Sequence, residues 1–177
     1  MDIIVPYFEN MQLGKAYNLA MERVQDWVLF VDHDLMLPLN PYYYTACRNA
    51  INELGHKAGW ITCKTNRIAC EVQRMNDAPQ DDNMITHMKF AKKVWKQHGM
   101  SYKICNNGNK RMGTPFSGFF MLTHKKAWED AGGFKDGFLG VDNDYYYKLI
   151  ANGYDTYVLN GVYVYHLYKQ KKKWKEL

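Results

Sequence analysis

The run Trp27–Leu37, WVLFVDHDLML, constrains this chain more than any other stretch. Apolar residues climb to Val31 and then break into Asp32-His33-Asp34. An apolar run of this length, rich in β-branched and aromatic types, reads as a buried strand. In an open α/β sheet the ligand crevice lies outside the carboxyl ends of such strands. Two carboxylates two residues apart point to the same side of an extended chain, so Asp32 and Asp34 face one way and His33 is expected to face away. A hard divalent cation takes oxygen ligands and can bridge protein carboxylates to phosphate oxygens. The expectation is a metal–diphosphate site at a strand end. Its plain alternative is an acidic loop after a core strand.

The neighbouring segments alternate between strand and helix signals. Ile3–Pro6 reads as a short first strand. Ala16, Leu19, Ala20 and Val24 recur at helical spacing, which predicts an amphipathic helix over Gly14–Gln25. Asn40-Pro41 is a helix start, and that helix runs to Leu54 and stops at Gly55. Gly59–Lys64 is a strand, and Asp81 or Asp82 caps a helix that Gly99 ends. Ser101–Pro115 reads as a loop, Phe116–Leu122 as a strand, and His124–Ala131 as a short helix closed by Gly132-Gly133. Asp142–Asn152 is a helix with an acidic first turn. Thr156–Leu159 and Val162–His166 read as two strands joined by an Asn160-Gly161 hairpin turn. The fold class expected is α/β, with a mixed, mainly parallel central sheet flanked by helices. One domain spans 1–168, followed by a basic tail over 169–177.

The 177 residues carry 47% hydrophobic and 23% charged side chains, ordinary for a globular protein. No apolar run approaches the ~20 residues needed to cross a bilayer. The start, MDIIVPYFEN, lacks the basic-then-apolar order of a leader. Cys47, Cys63, Cys70 and Cys105 form no CxxC pair, and with no leader the expectation is reduced thiols in the cytoplasm. The net charge of +5 is concentrated in Lys169–Lys175. That tail reads as a solvated end, a lid over a diphosphate, or a weak membrane-surface contact.

Two later segments add chemistry. Asp142 and Asp144 stand at a helix start, where a carboxylate is favoured as the anion, a suitable place for a general base. The alternative role for Asp142 is plain capping of backbone N–H groups. Val162, Val164 and His166 share one face of a strand, and a neutral imidazole at its end can complete a metal's coordination; its plain alternative is a surface or satisfied core histidine.

In this order, the chain resembles the GT-A-fold nucleotide-sugar glycosyltransferases, in particular their large inverting family. The matching stretches are GKAYNLAM leading into WVLFVDHDLMLP, then FSGFFMLTHKKAWEDAGGF, GFLGVDNDYYYKLIANGY and VYVYH. The resemblance implies a Mn²⁺ or Mg²⁺ ion held by Asp34 and His166, with Asp32 close to the donor ribose or the metal. It implies Asp142 as the base on the acceptor hydroxyl. Lys15, Asn18 and Arg67 are carried along as donor-side candidates, with Lys110 and Arg111 as further basic residues. Ser117, Gly118, Gly133, Phe134 and Asp144 are placed on the acceptor side. The implied donor is a nucleoside-diphosphate sugar, a UDP-sugar foremost, and the acceptor a glycan, a lipid-linked or a protein hydroxyl. No nucleic-acid partner is expected. The chain departs from the family in having Val141 where a glutamate usually precedes the aspartate, and in a shortened front end. Two other classes stay open: a non-catalytic binding or scaffold module of the same fold, and a metal-dependent phosphotransferase or nuclease.

Overall fold

The computed structural model describes residues 1–37, 41–106 and 115–167. The Asn40 cap, Lys110, Arg111 and the Lys169–Lys175 tail lie outside the described residues. Among the described residues, seven strands form one open sheet: β1 (Asp2–Ile4), β2 (Trp27–Val31), β3 (Leu35–Met36), β4 (Ala58–Thr65), β5 (Tyr102–Ile104), β6 (Phe120–His124) and β7 (Asp155–His166). Their order is β1-β2-β6-β4-β7-β3, with β5 also on β7. From the pairings, β1, β2, β4 and β7 share one direction, while β6, β5 and β3 run against them. The class is therefore α/β with a mixed sheet whose strands run mostly one way.

Among the described residues, five α-helices pack on the sheet: α1 (Leu13–Arg23), α2 (Tyr43–Leu54), α3 (Met84–His98), α4 (Lys125–Asp130) and α5 (Val141–Ala151). Strand β2, flanked by β1 and β6, is covered on both faces. Val28 and Phe30 pack with Tyr17 and Met21 of α1 and Tyr145 and Leu149 of α5. Trp27, Leu29 and Val31 point the other way, into a cluster with Ala46, Cys47 and Ala50 of α2. A strand with period-two side chains and no polar face needs cover on both sides. No helix among the described residues is long and apolar enough to cross a membrane.

Four expectations are corrected. The cap of α3 is Asn83, whose side chain accepts from Ile85 N, while Asp81 accepts from Asn83 N. Tyr102–Ile104, read as loop, is a strand against β7. The strand expected at Phe116–Leu122 begins only at Phe120. Most interesting is Asn160-Gly161, which is no hairpin turn but lies within the single 12-residue strand β7. The β4–β7 register jumps there, from Cys63↔Leu159 to Lys64↔Tyr163. A Cβ on Gly161 would lie 1.9 Å from Gly99 O, so glycine marks a bulge and a close backbone approach.

His124, at the opposite end of β2 from the Asp32 turn, is fully buried and its Nδ1 accepts from Ala127 N at 3.1 Å, capping α4. Its ring lies 4.7 Å from Trp27 and 4.6 Å from His56. Burial, with His56 adding to it, lowers its pKa from 6.5 to about 4. The unfolded chain therefore takes up a proton at a higher pH than the folded one. Stability is complete above about pH 6.5 and falls as the pH drops toward 4, by about 3 kcal/mol from this group. Urea unfolding at several pH values should show that slope, and His124→Asn, which keeps a capping side chain, should flatten it. An unchanged slope in the variant would count against this origin.

Candidate metal and transfer site

The Asp32 turn is built by backbone bonds. Asp32 N donates to Phe119 O at 3.0 Å, and Leu35 N donates back to Asp32 O at 3.2 Å. The two carboxylates are therefore set by a tight turn rather than by an extended strand. After the turn, β3 pairs with the end of β7 in the register Leu35↔His166, and Leu167 N donates to Asp34 O. That pairing carries His166 from the far side of the sheet to Asp34.

His166 is clamped on its other sides. Its Nδ1 lies 3.0 Å from Arg67 O, its backbone N donates to Asn66 Oδ1 at 2.8 Å, and its ring stacks on Phe119 at 5.4 Å. A proton on Nδ1, given to the Arg67 carbonyl, would leave Nε2 able to take a metal, whereas a proton on Nε2 is given to Asp34. Nε2 lies 3.2 Å from Asp34 Oδ1 and 4.0 Å from Asp32 Oδ2. One ligand atom from each residue falls within 4.8 Å of the others. Two carboxylates and an imidazole, oriented by a backbone carbonyl, suit Mn²⁺ and, with more water, Mg²⁺. The two carboxyls are tuned apart: burial raises the pKa of Asp32 against the pull of His166, while the bond to His166 lowers that of Asp34.

Two cavities meet at this point. One, of about 490 Å³, is walled by Asp32, His33, Asp34 and His166 on one side and by the Pro6–Leu13 segment on the other. The second, of about 480 Å³, holds Asp142, Ser117, Gly118 and Tyr17. Leu13, Asp32 and Phe138 belong to both. Asp142 stands in the first turn of α5, with Oδ2 accepting from Gly118 N at 3.0 Å and Oδ1 from Asn143 N at 2.9 Å. A Cβ on residue 118 would meet Asp142 Cβ at 3.2 Å, so glycine lets the carboxylate lie against the backbone.

The remaining expected site residues fall elsewhere. Lys15 is exposed and lines neither cavity. Asn18 spends its amide on the scaffold: Nδ2 donates to Phe134 O, and Oδ1 accepts from Trp128 Nε1 and Phe134 N. Arg67 turns its guanidinium to Gln80 O and Asp82, and meets the site only through its carbonyl. Gly133 lines a separate cleft beside Trp128, and Phe134 is buried in a stack with Tyr17. Asp144 pairs with Lys148 at 2.9 Å. His33 is exposed on the first cavity's wall rather than turned from it, but is outside the three-residue cluster.

Sequence reading missed the residues that hold the site in place. Gln73 is fully buried and clamps Ser117 from both sides, accepting from its N at 2.8 Å and donating to its O at 2.9 Å. Asn66 holds His166 by a single bond, its Oδ1 accepting from His166 N. Both lie in or beside Thr65–Gln80, which has no periodic pattern to read. A scan of protein-family models and a search of curated proteins gave no match to this chain.

Proposed function

We propose that the chain is a metal-dependent glycosyltransferase that moves a sugar from a nucleoside-diphosphate sugar, with UDP-sugars the first to test, onto an acceptor hydroxyl with inversion. The observation that carries this reading is the meeting of Asp32, Asp34 and His166 beside a cavity that also holds Asp142, with Asp32 in the walls of both cavities. In the step proposed, the acceptor oxygen bonds to the anomeric carbon as that carbon's bond to the diphosphate breaks. The diphosphate leaves with the electron pair, and the acceptor's proton passes to Asp142. A bound Mn²⁺ or Mg²⁺ would supply positive charge against the negative charge growing on the leaving group. Asp142 keeps acceptor capacity for that proton, because a carboxylate has about four lone-pair sites and two are used by backbone N–H groups. The carboxylate and its Gly118 partner are fixed beforehand, so little reorganisation is needed on reaction.

Calorimetry with UDP in the presence and absence of Mn²⁺ tests the reading. Metal should be required for tight UDP binding, and Asp34→Ala should weaken it by about 10–100-fold or more, at least the scale seen when a metal's supporting residues are lost. A chain that binds no sugar nucleotide with or without metal, or an Asp34→Ala variant that binds as the wild type does, would sink it.

A further inference from the structure

Tyr17 takes no part in the step above, yet it belongs to the cavity that holds Asp32 and Asp142. It is 1% exposed, and its ring is fixed by an edge contact to Phe30 at 4.8 Å and a stack on Phe134 at 4.6 Å. A phenylalanine would fill that ring position equally well, so the hydroxyl needs a separate reason. Its place is defined by Gly118: a methyl there would sit 3.5 Å from the Tyr17 hydroxyl oxygen and 3.7 Å from Asp142 Oδ2. Among the described residues the hydroxyl has no hydrogen-bond partner. It is not one of the buried unpaired polar atoms, and Tyr17 lines the cavity, so the hydroxyl is open there to a hydrogen bond from water or a ligand. Burial, and then the charges of Asp32 and Asp142, raise the phenol's pKa, so it stays a protonated donor.

The position also says what the donor faces. Tyr17 is absent from the wall of the cavity that contains Asp34 and His166, and present in the one that contains Asp142. With the diphosphate at the metal cluster, the group that must span from Asp32 toward Asp142 is the sugar in transit. We infer that the Tyr17 hydroxyl donates a hydrogen bond to a ring hydroxyl of the transferred sugar and helps to select which nucleotide sugar is accepted. The inference rests on the glycosyltransferase reading and adds a specificity-determining residue to it.

The test is calorimetric titration of the full chain with Mn²⁺ and, separately, UDP, UDP-glucose, UDP-galactose and UDP-N-acetylglucosamine. Tyr17→Phe keeps the ring and removes only the hydroxyl. It should leave UDP affinity within about twofold and weaken the preferred UDP-sugar by about 3- to 10-fold, the scale of one neutral hydrogen bond. The ratio between preferred and non-preferred sugars should shrink with it. Equal loss for UDP and the UDP-sugars would overturn the inference, because it would make Tyr17 a scaffold residue. So would unchanged affinity for every sugar. If the wild type binds none of the nucleotides, the glycosyltransferase reading fails first and takes the inference with it. Gly118→Ala is a second variant: its methyl would crowd the same space, and it should also weaken UDP-sugars more than UDP.

Discussion

Asp142→Asn is expected to cut the rate of sugar transfer by about 10²–10⁴-fold, the contribution of a positioned base, while leaving Mn²⁺-dependent UDP binding within about twofold. The separation follows from the two cavities. Asp142 lines the one that lacks Asp34 and His166, so losing its charge does not remove a metal ligand. The asparagine is nearly the same shape and its oxygen can still accept one of the two backbone N–H groups that now meet Asp142 Oδ1 and Oδ2. The other would face an NH₂ group, at a cost of about 1 kcal/mol in stability. Initial-rate measurements of UDP release, with calorimetry on the same preparation, give both readouts. Transfer at close to the wild-type rate would remove Asp142 from the mechanism. Asp144→Asn is the internal comparison: Asp144 is paired with Lys148 at a half-exposed position, where such a pair contributes under about 1 kcal/mol, and its loss should leave the rate within a few-fold.

The meeting residues Asp32, Asp34 and His166 were legible as candidates because each lies at or just after the end of a strongly patterned element. An unbroken apolar run up to Val31 leaves little doubt that Asp32 follows a buried strand, and alternation through Val162 and Val164 puts His166 at the end of another. What could not be read was how they meet. That depends on β3, two residues long, and on its pairing with β7. So short a segment has no period, and its partner lies some 130 positions away in the chain. The Asn160-Gly161 pair shows the same limit from the opposite side. Asn-Gly between two alternating runs is the strongest local hairpin signal, but the local preference lost to tertiary packing. The backbone of Gly99 occupies the space a side chain at 161 would need, and β4 continues to pair across the bulge.

Position 141 is informative in the same way. Family resemblance leads one to expect a glutamate before Asp142. Val141 is fully buried, in the cluster shared by α1 and α5, and a carboxylate there would be desolvated without a partner. Core packing therefore occupies that position, and the polar lining beside Asp142 comes from Ser117 and the Gly118 backbone. Asn18 and Arg67 bond into the scaffold for a related reason. Both are polar residues beside buried backbone groups, and their bonding capacity is taken by Phe134, Trp128, Gln80 and Asp82. From sequence, such a scaffold role and a ligand role call for the same residue types.

Gly14→Ala should be strongly destabilising, although helix propensity alone predicts the opposite sign. Alanine inside a helix is favoured over glycine by about 1 kcal/mol, and Gly14 is the second residue of α1. Its Cβ, however, would stand 1.8 Å from Lys135 O and 2.8 Å from Lys135 C, both backbone atoms. Gly14 N also donates to Gly137 O at 3.0 Å, which holds the same turn against the helix. Either α1 or that turn must move. Overpacking of this kind costs about 3 kcal/mol, which for a chain of this size lowers Tm by about 6–12 °C. The effect should reach function as well, because the turn leads directly into Phe138, which walls both cavities. UDP binding with Mn²⁺ should weaken along with stability. Gly55→Ala separates crowding from backbone strain: Gly55 has φ +56° and ψ −158°, a region close to glycine-only, with nothing within 4 Å of an added Cβ, so it should cost about 1–3 kcal/mol through strain alone and leave UDP binding alone. A Gly14→Ala variant as stable as the wild type would mean that α1 does not dock on the Lys135–Gly137 backbone as described, and the wall that joins the two cavities would have to be redrawn.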